Sequence, residues 1–229
     1  MARLFDVEGD AARAFTVLEQ GGIAIMPNSI GYSIVGGSGA SLRRIFETKK
    51  RAASKRNAMV GNHAIHAELH DCGTRGREIV TAITGDYDLP LGCLAPCRMD
   101  HPMLRPLDAE TLEASTRDAT LVILLNAGRF HEAITRMSHR ARFPLLGSSA
   151  NLTLGGTKFR VEDIEPEILA IADVVIDHGL QRYHPYGASS TLLNVETLEV
   201  VRFGACYEDI AYILKRHFGV TLPPRPRVG

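Results

Sequence analysis

Short apolar runs alternate with amphipathic stretches along the 229-residue chain, and most pairs read as a strand followed by a helix. Residues 8 to 20 carry apolar positions at Ala11, Ala12, Phe15, Val17 and Leu18, and Gly21 and Gly22 stop this amphipathic helix. Ile23 to Met26 is then a short buried strand that Pro27 should end. Ser41 is placed to cap a helix whose inner face is Leu42, Ile45 and Phe46. Ala58 to Val60 reads as another strand, and helical periodicity returns around 76 to 84 and 129 to 141. Buried strands are predicted at Leu121 to Leu125, Phe143 to Leu146 and Val174 to Ile176. Thr191 to Val195 and Leu198 to Phe203 have hairpin spacing, and a last helix covers about Glu208 to His217.

This alternation, with several strands apolar throughout, predicts an α/β architecture whose sheet is covered by helices. With 45% apolar residues the length suits one domain, assigned to 1–222, followed by a Pro- and Arg-containing mobile tail at 223–229. Lys plus Arg and Asp plus Glu both number 26, so net charge does not select a partner. Its distribution is more telling: between Ser41 and Val60 seven basic residues, among them Lys49, Lys50, Arg51, Lys55 and Arg56, face the single acid Glu47. Cys72, Cys93, Cys97 and Cys206 lack paired CxxC spacing, the acids Asp6, Glu8 and Asp10 stand where a signal peptide would need a basic and then an apolar run, and no apolar stretch is long enough to span a membrane. A cytoplasmic protein with free, mostly buried thiols is expected.

Candidate chemistry gathers at four places. Pro27-Asn28-Ser29-Ile30-Gly31-Tyr32 follows the first strand, and Lys49-Lys50-Arg51 ends the second helix. Ser148-Ser149-Ala150-Asn151 follows a later strand, and Ser190-Thr191 precedes Arg202-Phe203-Gly204-Ala205. In this order the motifs resemble the Sua5/YrdC/YciO family over about residues 10 to 205. The resemblance implies a YrdC-like twisted, mostly mixed sheet with helices covering it and a basic concave cleft. It further implies synthesis of threonylcarbamoyl-adenylate from ATP, with Mg²⁺, bicarbonate and L-threonine. Pyrophosphate is released, and the product serves the N6-threonylcarbamoyladenosine modification of tRNA. Transferred onto this chain, Lys49 and Arg51 become the catalytic cations. Ser148, Ser149, Asn151, Ser190 and Arg202 become nucleotide ligands, and Asn28 and Tyr32 substrate ligands. Hand-off to tRNA or to a tRNA-modifying partner would follow. In-line attack at phosphorus suits cations and N–H donors in this way. Lys49 and Arg51 converge only if the helix stops at Lys49.

The chain also departs from the family pattern. Asn28-Ser29-Ile30 stands where Thr-Glu-Thr is usual, Ala52 where a proline is, Leu91 to Cys97 in place of a Pro-Gly-Pro-x-Thr segment, and Asn126-Ala127-Gly128 in place of Arg-x-Pro. These changes fall on the acceptor half of the pattern. Carbamoyl-adenylate chemistry on another acceptor, or nucleotide or RNA binding without turnover, are therefore the alternative readings. His63, His66 and His70 share a helical face with Cys72 close behind, a spacing geometrically possible for zinc, but one helix rarely supplies a whole site and no metal is assigned.

Overall fold

The computed structural model describes residues 4–50 and 55–226. Helix α1 (Val7–Glu19) starts where the Asp6 carboxylate accepts the Gly9 N–H at 3.1 Å, and it buries Ala11, Ala14, Phe15 and Leu18. Strand β1 (Ile23–Asn28) runs on through Pro27 and turns back at Ser29-Ile30 into β2 (Gly31–Gly36). Proline is tolerated there for a local reason. The Ile23 and Ile25 carbonyls face β8 (Val174–Val175) and accept from Asp173 and Ile176, whereas Pro27 faces the same side beyond the last paired residue.

Helix α2 (Gly39–Thr48) is capped by Ser38 and not by Ser41. Ser41 is the reciprocal partner: its Oγ accepts the Ser38 N–H at 2.8 Å while Ser38 Oγ accepts the Ser41 N–H at 3.2 Å. The helix does stop at Lys49, and Lys50 turns the chain with φ +48°. Then come β3 (Ala58–Val60), α3 (His63–Leu69), α4 (Thr74–Thr81) running into a π-helical turn at Ala82–Asp86, and β4 (Leu91–Pro96). The next elements are α5 (Ala109–Glu113), β5 (Thr116–Arg117), β6 (Thr120–Leu125), α6 (Arg129–Ala141) and β7 (Leu146–Ser149). After α7 (Pro166–Leu169) and β8, the hairpin β9 (Leu192–Asn194) and β10 (Val200–Arg202) leads to α8 (Tyr207–Phe218).

Among the described residues the strands form one mixed sheet in the order β10-β9-β4-β6-β3-β7-β2-β1-β8, with β5 added against β6. Pairs β1–β8, β3–β6 and β4–β9 are parallel and the rest antiparallel. Helices α1 and α6 pack Phe15, Leu18, Phe130 and Ile134 on Ala24, Met26 and Val35. Along β4 and β6 the two faces divide by the strand period. Leu91, Cys93, Ala95, Leu121, Ile123 and Leu125 enter a core with Ile65, Leu69 and Ile79, whereas Gly92, Leu94, Val122 and Leu124 line an open concavity.

Two expectations shift. Strand β7 begins three residues later than Phe143, because Arg142 is left-handed and Ser138 Oγ holds the Phe143 carbonyl at 2.6 Å, so the chain joins β3 only from the Leu145 carbonyl on. Ser148 and Ser149 thus lie within the strand, opposite Ile34 and Ser33. Gly147 is required there, since a Cβ would come within 2.1 Å of the Ile34 carbonyl oxygen. The segment expected as a mobile tail is anchored as far as Arg225. Tyr207 donates to the Pro223 carbonyl, and Arg225 donates to Glu208 at 2.7 Å and to the Gly204 carbonyl at 2.8 Å.

Candidate functional site

The concave face of the sheet forms a cleft of about 610 Å³ whose floor crosses β2, β3, β4, β6, β7 and β9. Small or apolar residues (Gly92, Leu94, Val122, Gly147, Leu192) keep that floor low, and hydroxyls of Ser33, Thr120, Ser148, Ser149, Thr157, Ser189 and Ser190 surround it. Lys55, Arg56, Arg117 and Arg202 are the charged residues of the lining, and no carboxylate joins them among the described residues. Four cations over a low-dielectric wall focus a positive potential into the concavity.

Backbone carbonyls aim two of these cations. Arg202, at the end of β10, donates through Nη2 and Nε to the Ser190 carbonyl at 2.7 and 3.0 Å, and through Nη2 to Ser190 Oγ at 3.2 Å. Arg56 Nε donates to the Thr116 carbonyl at 3.1 Å. In the same lining Ser148 Oγ is buried with no hydrogen-bond partner among the described residues. A hydroxyl so placed can donate to or accept from a ligand that enters the cleft.

Of the residues singled out in the sequence, Tyr32, Ser148, Ser149, Ser190 and Arg202 line this cleft. The Tyr32 hydroxyl itself points away from it, accepting the His178 N–H at 3.1 Å and lying 3.0 Å from Asp177 Oδ1 and 2.9 Å from the Gly179 carbonyl. Burial raises its pKa far above the usual phenol value, so the ring is a neutral wall and anchor. Asn28 stands behind Ser33, donating to its Oγ at 2.5 Å, and keeps a buried, unpartnered Oδ1. Arg51 lies outside the described residues.

Lys49 is placed differently from the sequence expectation. Its side chain is 2% exposed, and the ammonium donates to the carbonyls of Ser149 and Asn151, not into the cleft lining. A buried cation needs such oxygens, and the loop after β7 supplies them. Asn151 sits on that same loop, its Nδ2 donating to the Leu152 carbonyl and its Oδ1 unpartnered. Lys49 and Asn151 therefore shape the wall that carries Ser148 and Ser149. Arg117 was not singled out in the sequence, and Lys55 and Arg56 were noted only as part of a basic run. The one signal that pointed to them was the shortage of acids from Ser41 to Val60.

Two of the segments that depart from the family pattern meet. The Ser29 N–H donates to the Ala127 carbonyl at 2.7 Å, and Gly128, at φ +101°, leaves room for the Ser29 side chain. The hairpin tip and the β6–α6 connection are thus tied to each other.

No protein-family profile matches the chain, and no curated protein does. Solved structures do match. Protein smu.1377c of Streptococcus mutans UA159 superposes with a TM-score of 0.70 at 19% identity, over 91% of this chain and 92% of that one. P. abyssi Sua5 superposes with a TM-score of 0.68 at 16% identity over 86% of this chain, and another of its structures is complexed with L-threonine. The fold is that of Sua5. E. coli YciO superposes as well, with a TM-score of 0.63 at 16% identity over 86% of this chain and 90% of that one. The chain covers 54% of the matched Sua5, about half its length. HypF, solved in a phosphate- and nucleotide-bound form, matches over 85% of this chain and 23% of its own with a TM-score of 0.59 at 13% identity.

Proposed function

We propose that the cleft binds ATP and that the protein forms a carbamoyl-type adenylate from ATP, bicarbonate and L-threonine, with release of pyrophosphate. The observation that carries this reading is the wall of Lys55, Arg56, Arg117 and Arg202, joined by no carboxylate among the described lining residues, beside the Ser148 hydroxyl. Attack by a carbamate oxygen on the α-phosphate spreads negative charge over non-bridging and leaving oxygens. Fixed cations lower that barrier without a general base. With no carboxylate in the described lining, Mg²⁺ would arrive on the phosphates and not on a protein cage. The phosphate- and nucleotide-bound HypF and the L-threonine complex of Sua5 support the reading by likeness of fold.

In this reading the product is handed to a tRNA-modifying partner in the cytoplasm. Among the described residues no helix is long and apolar enough to cross a membrane. The contact between Ser29 and Ala127 favours one second reading, the same adenylate chemistry on a different small amine, because two of the segments that depart from the family pattern meet there. Pyrophosphate release measured with ATP, bicarbonate and each amino acid in turn tests both. Threonine-selective turnover supports the first, turnover with another amino acid the second, and ATP binding without turnover for any acceptor sinks the catalytic reading.

A further inference from the structure

Directly under the cleft floor, on the opposite face of β4, three donor side chains converge that the proposed reaction does not use. His66 lies on α3, His70 just after its C-terminus, and Cys93 in the middle of β4, between the cleft-lining Gly92 and Leu94. Nδ1 of His66 and Nδ1 of His70 are 2.9 Å apart, and Cys93 Sγ is 3.7 Å from His70 Nδ1. One ligand atom from each residue lies within 4.8 Å of the others, and all three residues are buried.

The hydrogen bonds fix the tautomers. A carbonyl can only accept, so the 3.0 Å contact of His70 Nε2 with the Leu121 carbonyl puts the proton on Nε2 and leaves Nδ1 a bare lone pair. His66 Nδ1 must then donate to it, which leaves His66 Nε2 a second bare lone pair, buried and without a partner. An imidazole whose far nitrogen is held by a backbone carbonyl is oriented as metal-bound histidines usually are. His63 does not join the group: its Nε2 lies 3.0 Å from Thr84 Oγ1, toward solvent.

We propose that His66, His70 and Cys93 form a metal site for a soft, thiophilic ion, with monovalent copper the best match and zinc the alternative source of the same chemistry. A metal at ~2.0 Å from nitrogen and ~2.3 Å from sulfur spaces its donors about 3.3–3.7 Å apart, so the 2.9 Å between the two Nδ1 atoms has to open by a few tenths of an ångström, the 3.7 Å from His70 Nδ1 to Cys93 Sγ already fits, and the His66 proton passes from Nδ1 to its bare Nε2. Two neutral imidazoles and one thiolate carry a single negative charge, which Cu⁺ neutralises in three-coordination. Zn²⁺ would leave a buried positive charge unless a fourth, anionic donor approached. On binding, the Cys93 thiol proton leaves to solvent and no electron is transferred. Burial already keeps both histidines neutral, lowering His66 to about 4 and His70 to about 3.

The test titrates the reduced, metal-free full-length protein with Cu⁺ and, separately, with Zn²⁺, each against a chromophoric competitor chelator. One equivalent of one ion is expected to bind and to raise the melting temperature by about 5–10 °C at 100 times its Kd. Cys93→Ser and His70→Gln should each weaken binding at least 100-fold. X-ray absorption of the loaded wild-type protein should show one sulfur and two imidazole nitrogens around the metal, a readout that holds even where a variant fails to fold. Absence of stoichiometric binding, equal binding in Cys93→Ser, or a shell with two or more sulfurs would overturn the site.

Discussion

Lys49 and Thr153 clasp each other across the mouth of the β7 loop: the Lys49 carbonyl accepts both the Thr153 N–H at 3.1 Å and its Oγ1 hydroxyl at 2.6 Å. The ammonium of the same lysine donates to the carbonyls of Ser149 and Asn151, so one residue at the end of α2 holds the loop at three points. Lys49→Ala would strand buried carbonyls, each costing about 1–3 kcal/mol. We expect urea denaturation to show a loss of roughly 2–5 kcal/mol for Lys49→Ala, the range for breaking a buried charged contact, against less than about 0.5 kcal/mol for the exposed Lys50→Ala. Equal stability of the two variants would remove the ammonium's contacts with the loop from the account.

Ser148 offers a test in which stability and binding change in opposite senses. Its hydroxyl is buried without a partner among the described residues, so Ser148→Ala should leave stability unchanged or raise it by up to ~1 kcal/mol. The same change should weaken ATP about 3- to 10-fold if the hydroxyl meets a phosphate or ribose oxygen, the scale of one ordinary hydrogen bond. Isothermal titration of both proteins separates the effects. Unchanged affinity would take Ser148 out of the site.

Much of this fold is legible in the sequence because its strands are apolar and its helices amphipathic. Residues 121–125, 129–141 and the β9–β10 hairpin follow from periodicity alone. Strand β2 is not, since Gly31 and Gly36 bracket it and its segment reads as a ligand loop. Strand β4, with Gly92 and two cysteines nearby, reads as a broken motif, although Gly92 is what keeps the cleft floor open against Leu192. The Ser-Ser-Ala-Asn turn and Arg202 were visible as motifs, whereas Arg117 was not. It reaches the cleft only because β5, a two-residue strand, folds back on β6. Lys49 was visible as a cation, but that its partners are carbonyls a hundred residues away is decided by topology.

Acid should destabilise the protein through a histidine remote from the cleft lining. His131, on α6, is fully buried, its Nε2 bonded to the Leu124 carbonyl at 3.1 Å, and desolvation lowers its pKa to about 4 against an ordinary 6.5. Below pH 6.5 the unfolded chain takes up a proton at this position that the folded chain refuses, so this group's contribution to stability is lost as pH drops from 6.5 to 4 and changes little beneath the folded value. The single group contributes about 3 kcal/mol across that window. His131→Asn should flatten the pH dependence of the urea midpoint between pH 6.5 and 4 by about one proton. An unchanged slope would place the proton elsewhere.

The cationic wall can be separated from a diffuse charge effect by comparing two arginines. Arg117 lines the cleft, whereas Arg43, on the exposed side of α2, is neutralised by Glu110 at 2.6 Å. A charge-assisted hydrogen bond to phosphate contributes roughly 1.5–3 kcal/mol, so Arg117→Ala should weaken ATP by about 10- to 150-fold. Arg43→Ala, beyond the wall and already paired, should change affinity less than about 2-fold once salt reduces the Debye length to ~8 Å. Since both arginines are exposed, neither change should alter stability by more than about 0.5 kcal/mol, and loss of fold cannot imitate the result. Inorganic triphosphate measured alongside ATP locates the contact: parallel losses for both place Arg117 on the phosphates, and a loss confined to ATP places it on the nucleoside. Equal losses in Arg117→Ala and Arg43→Ala at 0.15 M salt would mean that the wall acts as a field and not as a site.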